Sequence, residues 1–299
     1  MKTKFLLIIA IALTCVMFSC KSVAVAAKIA GAAGLVDRNT ANAISQSAIA
    51  IGTAAEEINP EQEYYIGRAV AANILSSYRL WTGNAALSAY LNNICAAITI
   101  NSPRPDVFNG YHVAILDSNE INAFATSGGH IFVTRGLIGA AKSEDALASV
   151  IAHEVAHIQL KHGIKAIKNN RITQAILITG TSAAGAAAGM NVNQLTDVMK
   201  ESVGEIVSTL VNNGYSQTQE FEADNTAMAL MAGAGYNPAS LIEILRVLST
   251  IQTSGSGFGK THPTPAARIT NAERTVKNYS VPNTSSTRQA RFTAATRAL

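Results

Sequence analysis

Cysteine is scarce in this chain: three in 299 residues, at positions 15, 20 and 95. Cys95 sits between Ile94 and Ala96 on an amphipathic pattern and reads as a small core residue, so thiol chemistry is not expected. Net charge is also small, +4, falling to +2 if Lys2 and Lys4 leave with a leader, which excludes a charge-driven nucleic-acid binder. The Ala/Gly-rich stretch AILITGTSAAGAAAGM at 175–190 runs for 16 residues, short of the roughly 20 needed to span a bilayer. It reads as a core helix or loop, with a membrane span or a membrane-touching lid as the alternative. Tandem repeats and a second motif-bearing unit are both lacking. About 280 residues after the leader are enough to bury one substantial core.

What is present centres on SEDALASVIAHEVAHIQLKHG, residues 143–163. Ser143 is an expected N-cap, Glu144 and Asp145 suit the positive end of a helix dipole, and Gly163 after Lys161 and His162 is an expected stop. Residues four apart share a helix face, so His153 and His157 can turn ring nitrogens toward one metal ion. Glu154 lies beside them. Two neutral imidazoles and an adjacent carboxylate are what zinc hydrolysis needs, the carboxylate taking the proton of metal-activated water as it attacks a carbonyl. His162, nine residues from His153, is expected to face away.

Two histidines leave a catalytic zinc site one protein ligand short. NGYSQTQEFEADNTAMALMAGAGYNP, residues 213–238, offers it. On a helix Glu220 and Asp224 share a face while Glu222 turns away. Glu220 can complete the ligand set, and Asp224 can accept the outer N–H of a ligating histidine. The plainer reading of Glu-x-x-x-Asp is a solvated acidic face; the pairing with His153 and His157 argues against it. HVAILDS (112–118) and HIFVTRG (130–136) have strand-like alternation with Gly128-Gly129 as a turn signal. A short antiparallel sheet beside the metal helix follows, whose edge can pair with an extended peptide. His112 and His130 are read as strand or surface residues.

His-Glu-x-x-His followed at this distance by EFEAD resembles the M48 metallopeptidases, a gluzincin group, over roughly residues 61–275. EQEYYIGRAVA (61–71), LNNICAAITINSPRPDVFNGYHVAILDS (91–118), NAFATSGGHIFVTRGLI (122–138) and THPTPAARI (261–269) are similar to the family's lead-in helices and first strand, substrate hairpin and C-terminal His-Pro segment. The resemblance implies an α+β, mainly helical, zincin-type domain with one Zn2+ per chain on His153, His157 and Glu220. Glu154 is then general base and later acid, and Asp224 orients a ligand. It further implies that Asn122 and Ala123, with Gly128 and Gly129 of the same hairpin, contact the substrate backbone. For Asn122 the alternative is a turn residue bonding its own backbone. His262 is implied as a regulatory fourth ligand or a stabiliser of the tetrahedral intermediate, and as an exposed loop histidine otherwise. Arg268 matches the family's arginine and can orient a carboxylate or the oxyanion. One departure is Ser216-Gln217, where relatives carry Ser-Arg.

Lys2 and Lys4 followed by FLLIIAIALTCVMFSC read as a signal peptide over residues 1–19. Cys20 is the lipidation candidate and Cys15 the weaker one, a plain signal or an uncleaved anchor being the alternatives. A lipidated Cys20 leaves Cys95 without an intramolecular disulfide partner. Residues 20–55 follow as a linker or N-terminal helix, 56–280 as the peptidase domain, and 281–299 as a loose polar tail. Together these suggest an envelope protein, lipid-anchored to the outer membrane and facing the periplasm. Its expected partners are polypeptides, namely unfolded or misassembled envelope proteins, with no nucleic acid. The competing expectation is an envelope chaperone or assembly factor whose zinc site is structural.

Overall fold

The computed structural model describes residues 20–34, 36–42, 44–45, 59–165, 207, 214–251, 257, 261–262, 265–280, 286–297 and 299. The expected signal peptide and the 175–190 stretch lie outside them. The chain divides into two units, residues 1–57 with 166–202 and residues 58–165 with 203–299. The first contributes helix α1 (Cys20–Ala32). No helix among the described residues is long and apolar enough to cross a membrane.

The second unit runs α2 (Pro60–Ser77), α3 (Ala85–Thr99), β1 (His112–Leu116), β2 (Ala123–Thr126), β3 (His130–Thr134), α4 (Arg135–Ala140), α5 (Glu144–Gln159), α6 (Gln217–Gly233), α7 (Ser240–Ile251), α8 (Pro265–Thr275), a short 3-10 turn, and α9 (Ser286–Thr296). Helix α5 is its axis, buried on every side from Glu144 to Ile158. Such a helix must be enclosed all round, and α3, α6, α7 and β2 pack against it. Helix α3 presents Leu87, Leu91, Ile94 and Ile98 at helical spacing, and α7 presents Leu241, Leu245 and Leu248; all are buried. Each such side chain contributes roughly 1.5–3 kcal/mol on leaving water. Cys95 lies in this core as expected, with burial pushing its thiol pKa up to about 12.

The sheet differs from the antiparallel one expected. Strand order is β1-β3-β2, β1 parallel to β3 and β2 antiparallel to β3. Gly128-Gly129 turns β2 into β3, so it does not join the two strands flanking it in the sequence reading. Strand β2, implied by the hairpin resemblance over 122–138, carries no alternation of its own, because its Ala-Phe-Ala-Thr is buried throughout. The outer side of β1 is closed: Asn92 donates to Val113 O and accepts from Val113 N (2.8 and 2.9 Å), and Trp81 N donates to Ile115 O. On the other edge, β2 pairs with β3 alone among the described residues and lies along α5.

Of the expected loose tail, 281–299, the described part is ordered against the core. Ser286–Thr296 is helical, buries Phe292, and aims Arg291 at both Glu144 carboxylate oxygens and Arg288 at Asp145 (3.0 Å). One aromatic anchor and two cations facing buried carboxylates dock a helix whose sequence has little apolar period.

Candidate metal centre

Ser143 caps α5 as expected, accepting from Ala146 N (3.1 Å). The helix turns His153 and His157 to the same side, their Nε2 atoms 3.0 Å apart. Helix α6 begins with a capping box in which Ser216 and Gln219 satisfy each other's backbone N–H groups. Gln217 is exposed, so the side-chain cap, with no guanidinium at that position, fixes the helix start. It places Glu220 in the first turn, Oε2 at 3.5 Å from His153 Nε2 and Oε1 at 3.6 Å from His157 Nε2. His262 arrives from the segment before α8, Nδ1 at 3.2 Å from His153 Nε2 and 3.1 Å from Glu220 Oε1.

These four buried donors lie within 4.8 Å of one another. A tetrahedral zinc ion with bonds of about 2.0–2.1 Å holds its ligands about 3.3–3.5 Å apart; the separations from 3.0 to 3.6 Å, with both Glu220 oxygens taking part, fall near that spacing. The proton inventory agrees. His153 Nδ1 lies 3.0 Å from Asp224 Oδ1; in the neutral imidazole that donates there, Nε2 is left with a lone pair facing the cluster. Lone pairs converging on one point in the protein interior call for a cation at that point. The His-His-Glu-His cluster could therefore hold a metal ion.

Glu154 is fully buried beside it, and neither of its carboxylate oxygens has a hydrogen-bond partner among the described residues. Burial raises its pKa, opposed in part by His262, whose Nε2 lies 3.5 Å from Oε1, and by His153. Glu220 and Asp224 go the other way. Burial would raise both, but the Arg268 guanidinium overrides it and holds Glu220 well below, and Asp224 below, the usual range. Arg268, itself buried, donates from Nε and Nη2 to the two oxygens of Asp224 (2.8 and 2.7 Å), with Nη1 2.8 Å from Glu220 Oε2. Arg268 thus contacts two carboxylates, those of Asp224 and Glu220.

The hairpin residues fall elsewhere. Asn122 is buried; its Oδ1 accepts from Ala123 N (2.9 Å) and from Thr261 Oγ1 (3.0 Å), which couples the edge strand to the residue before His262. Ala123 opens β2 opposite Val133. Gly128 and Gly129 are close-approach positions: an added Cβ would sit 2.4 Å from Tyr64 Cα and 2.2 Å from Gly110 O. Both have positive φ, 81° and 104°. Cys20 opens α1. His112 contacts Asn109 O, and His130 stacks on Tyr64.

His162 is the clearest departure. It does not face away: it is wholly buried, its Nδ1 2.9 Å from His157 Nδ1 and its Nε2 3.2 Å from Glu222 Oε2. The helix ends at Gln159, so a helical angle counted from His153 does not carry to residue 162. Lys161, not Gly163, breaks it, at φ 57°, and the chain turns back to bring His162 against His157. Tyr215 also escaped the sequence reading; its buried ring stacks on His157, centroids 4.0 Å apart and planes 17° from parallel.

A buried helical His-Glu-x-x-His, a carboxylate from a second helix and a glutamate with no hydrogen bond among the described residues form the pattern of a metallopeptidase centre. Residues 84–276 match the model of Peptidase family M48. The chain belongs to that family. It is 30% identical over 152 residues to Metalloprotease LoiP of Escherichia coli (strain K12), covering 50% of this chain and 57% of that one. It is 25% identical over 195 residues to the beta-barrel assembly-enhancing protease of the same strain, covering 62% and 38%. Mitochondrial metalloendopeptidase OMA1 of Schizosaccharomyces pombe is 30% identical over 159 residues, covering 51% and 42%. The chain thus spans between 38% and 57% of the length of these relatives.

Proposed function

We propose that this protein is a zinc-dependent endopeptidase that cleaves unfolded or misassembled envelope proteins. The observation that carries the reading is the buried donor set of His153, His157 and Glu220, gathered within 4.8 Å, with the Glu154 carboxylate beside it lacking a hydrogen bond among the described residues. Zinc held there supplies Lewis acidity, polarising a peptide carbonyl and acidifying water. Glu154 accepts the proton as water attacks and passes it to the leaving amine; a carboxylate whose pKa is raised by burial suits both halves of that task. Asp224 holds the outer N–H of His153, and Arg268 holds Asp224 and Glu220 in place. Strand β2, paired with β3 alone among the described residues and lying along α5, is the edge to which an extended substrate would add, from Ala123 onward. Asn122 shapes that edge through Thr261.

Envelope substrates follow from the name of the beta-barrel assembly-enhancing relatives and from the leader-like N-terminus. Attachment through a lipid on Cys20, facing the periplasm from the outer membrane, belongs to the same proposal.

A second reading has one observation in its favour. His262 stands inside the donor cluster, and four protein ligands leave no coordination position for water. His262 is then a gate that withdraws during hydrolysis, or, if it never withdraws, the site is structural and the protein an assembly factor. The test is cleavage of casein by the zinc-loaded chain beside Glu154→Gln and His262→Ala. The peptidase reading expects cleavage by the wild type, none by Glu154→Gln with zinc retained, and faster cleavage by His262→Ala. Stoichiometric zinc with no cleavage of casein or of unfolded outer-membrane proteins by any of the three would favour the structural site.

A further inference from the structure

The two ligating histidines of α5 are held from behind in different ways. His153 donates its Nδ1–H straight to Asp224, which Arg268 grips. His157 has no carboxylate there. Its Nδ1 meets the Nδ1 of His162 at 2.9 Å, and His162 Nε2 meets Glu222 Oε2 at 3.2 Å.

We propose that His162 and Glu222 are positioning residues for the metal site, forming a relay that fixes the tautomer and tilt of His157 and ends at the protein surface. Only one placement of protons satisfies the chain. His157 Nε2 faces the cluster, 3.0 Å from His153 Nε2 and 3.6 Å from Glu220 Oε1, so a ligating His157 presents a lone pair there and carries its proton on Nδ1. That proton is donated to His162 Nδ1, which must be bare. His162 then carries its proton on Nε2 and donates it to Glu222. The glutamate side chain is about half exposed (50%), whereas His162 is wholly buried (0%), so the relay crosses from the site to solvent in one step. Tyr215 stacked on His157 closes the remaining freedom of the ring.

The local backbone is built for this. A helix running on past Gln159 would carry residue 162 away from 157. The left-handed Lys161 reverses the chain, and a new turn at 162–165 sets His162 under His157. Gly163 keeps the approach open, since a Cβ there would lie 3.2 Å from Ser127 Oγ. A buried histidine with both nitrogens matched to partners, one of them a ligand's outer nitrogen, raises that ligand's basicity and holds its orientation.

This inference rests on the metallopeptidase reading, and metal affinity separates the two. Zinc dissociation constants of the full chain would be measured by chelator competition for the wild type, His162→Leu, His162→Asn, Glu222→Leu and Glu222→Gln. The absorption spectrum of each Co2+-substituted form would be recorded alongside. His162→Leu should bind zinc 10–100-fold more weakly, as is usual for a lost partner of a ligand, with an altered cobalt spectrum. His162→Asn should recover most of the affinity, because an amide oxygen can accept from His157 Nδ1. Glu222→Leu should lose several-fold and Glu222→Gln little, and these surface variants keep the test alive if His162→Leu does not fold. Equal losses in His162→Leu and His162→Asn would reduce His162 to packing. Wild-type affinity in His162→Leu, or in Glu222→Leu if the former is unfolded, would also overturn the relay while leaving the metal site intact. A wild-type chain that binds no metal would sink the peptidase reading and the relay together.

Discussion

The two ends of helix α5 both bury carboxyl groups, and they are finished differently. At the N-terminal end Glu144 is closed on all sides: Tyr90 and Tyr236 donate to its oxygens (2.9 and 3.3 Å), and Arg291 pairs with both. Asp145 accepts from Asn237 N and pairs with Arg288. At the other end Asp224 and Glu220 are gripped by Arg268, but Glu154 has no hydrogen-bond partner among the described residues and the ring nitrogens of His153 and His157 converge. A buried carboxylate without a partner costs free energy. The first end gives its carboxylates tyrosine, backbone and arginine partners and leaves one oxygen, Asp145 Oδ2, without a hydrogen bond, whereas the second leaves both Glu154 oxygens without one beside a cluster that could hold a metal.

Four experiments would break or sharpen this contrast. Glu154→Gln should lower casein cleavage by about 10²–10⁴-fold, the usual worth of a general base, and leave unfolding by denaturant unchanged or slightly improved, since a neutral amide removes a buried charge. Arg268→Met should destabilise the zinc-free protein by about 3–5 kcal/mol, because it strands two buried carboxylates. Its pH dependence has a definite sign. Glu220 and Asp224 are depressed in the folded state, so their contribution is complete above the ordinary values of 4.5 and 3.8 and is lost as pH falls through the depressed ones. In chelator, the wild-type advantage over Arg268→Met should therefore shrink on acidification below about pH 4.5.

Arg291→Ala acts at the other end. Half exposure of the arginine side chain (52%) screens the pair, so the expected cost is about 2 kcal/mol, near that of one charged hydrogen bond, with zinc affinity unchanged. An equal loss of zinc affinity would show that the two ends are coupled through α5. Smallest is Ser216→Ala, which removes half of the capping box that starts α6; a thermal melt should register about 1 kcal/mol.

The metal-facing half of this contrast was readable from the amino acids. His153, Glu154, His157, Glu220 and Asp224 lie on two regular helices, where four-residue spacing translates directly into a shared face. Regularity also marks where the reading stopped. His162 lies beyond a left-handed Lys161, and no period carries an angle across such a break. Glu144 and Asp145 read as ordinary dipole partners because nothing local announces that Arg288 and Arg291, over 140 residues away, will bury them. The same long-range pairing explains α9, whose sequence shows one apolar anchor, Phe292, and otherwise looks like a tail. Strand β2 carries no alternation of its own because it is buried throughout, and only the hairpin resemblance implied it.

The central claim is that one metal ion sits among His153 Nε2, His157 Nε2 and Glu220, beside Glu154. Anomalous scattering from a crystal of the zinc-loaded chain, collected on both sides of the zinc edge, tests it most directly. The account predicts a single edge-dependent peak within bonding distance, about 2.0–2.2 Å, of those three side chains. An edge-dependent peak elsewhere, or none in a crystal whose protein carries stoichiometric zinc in solution, would contradict it.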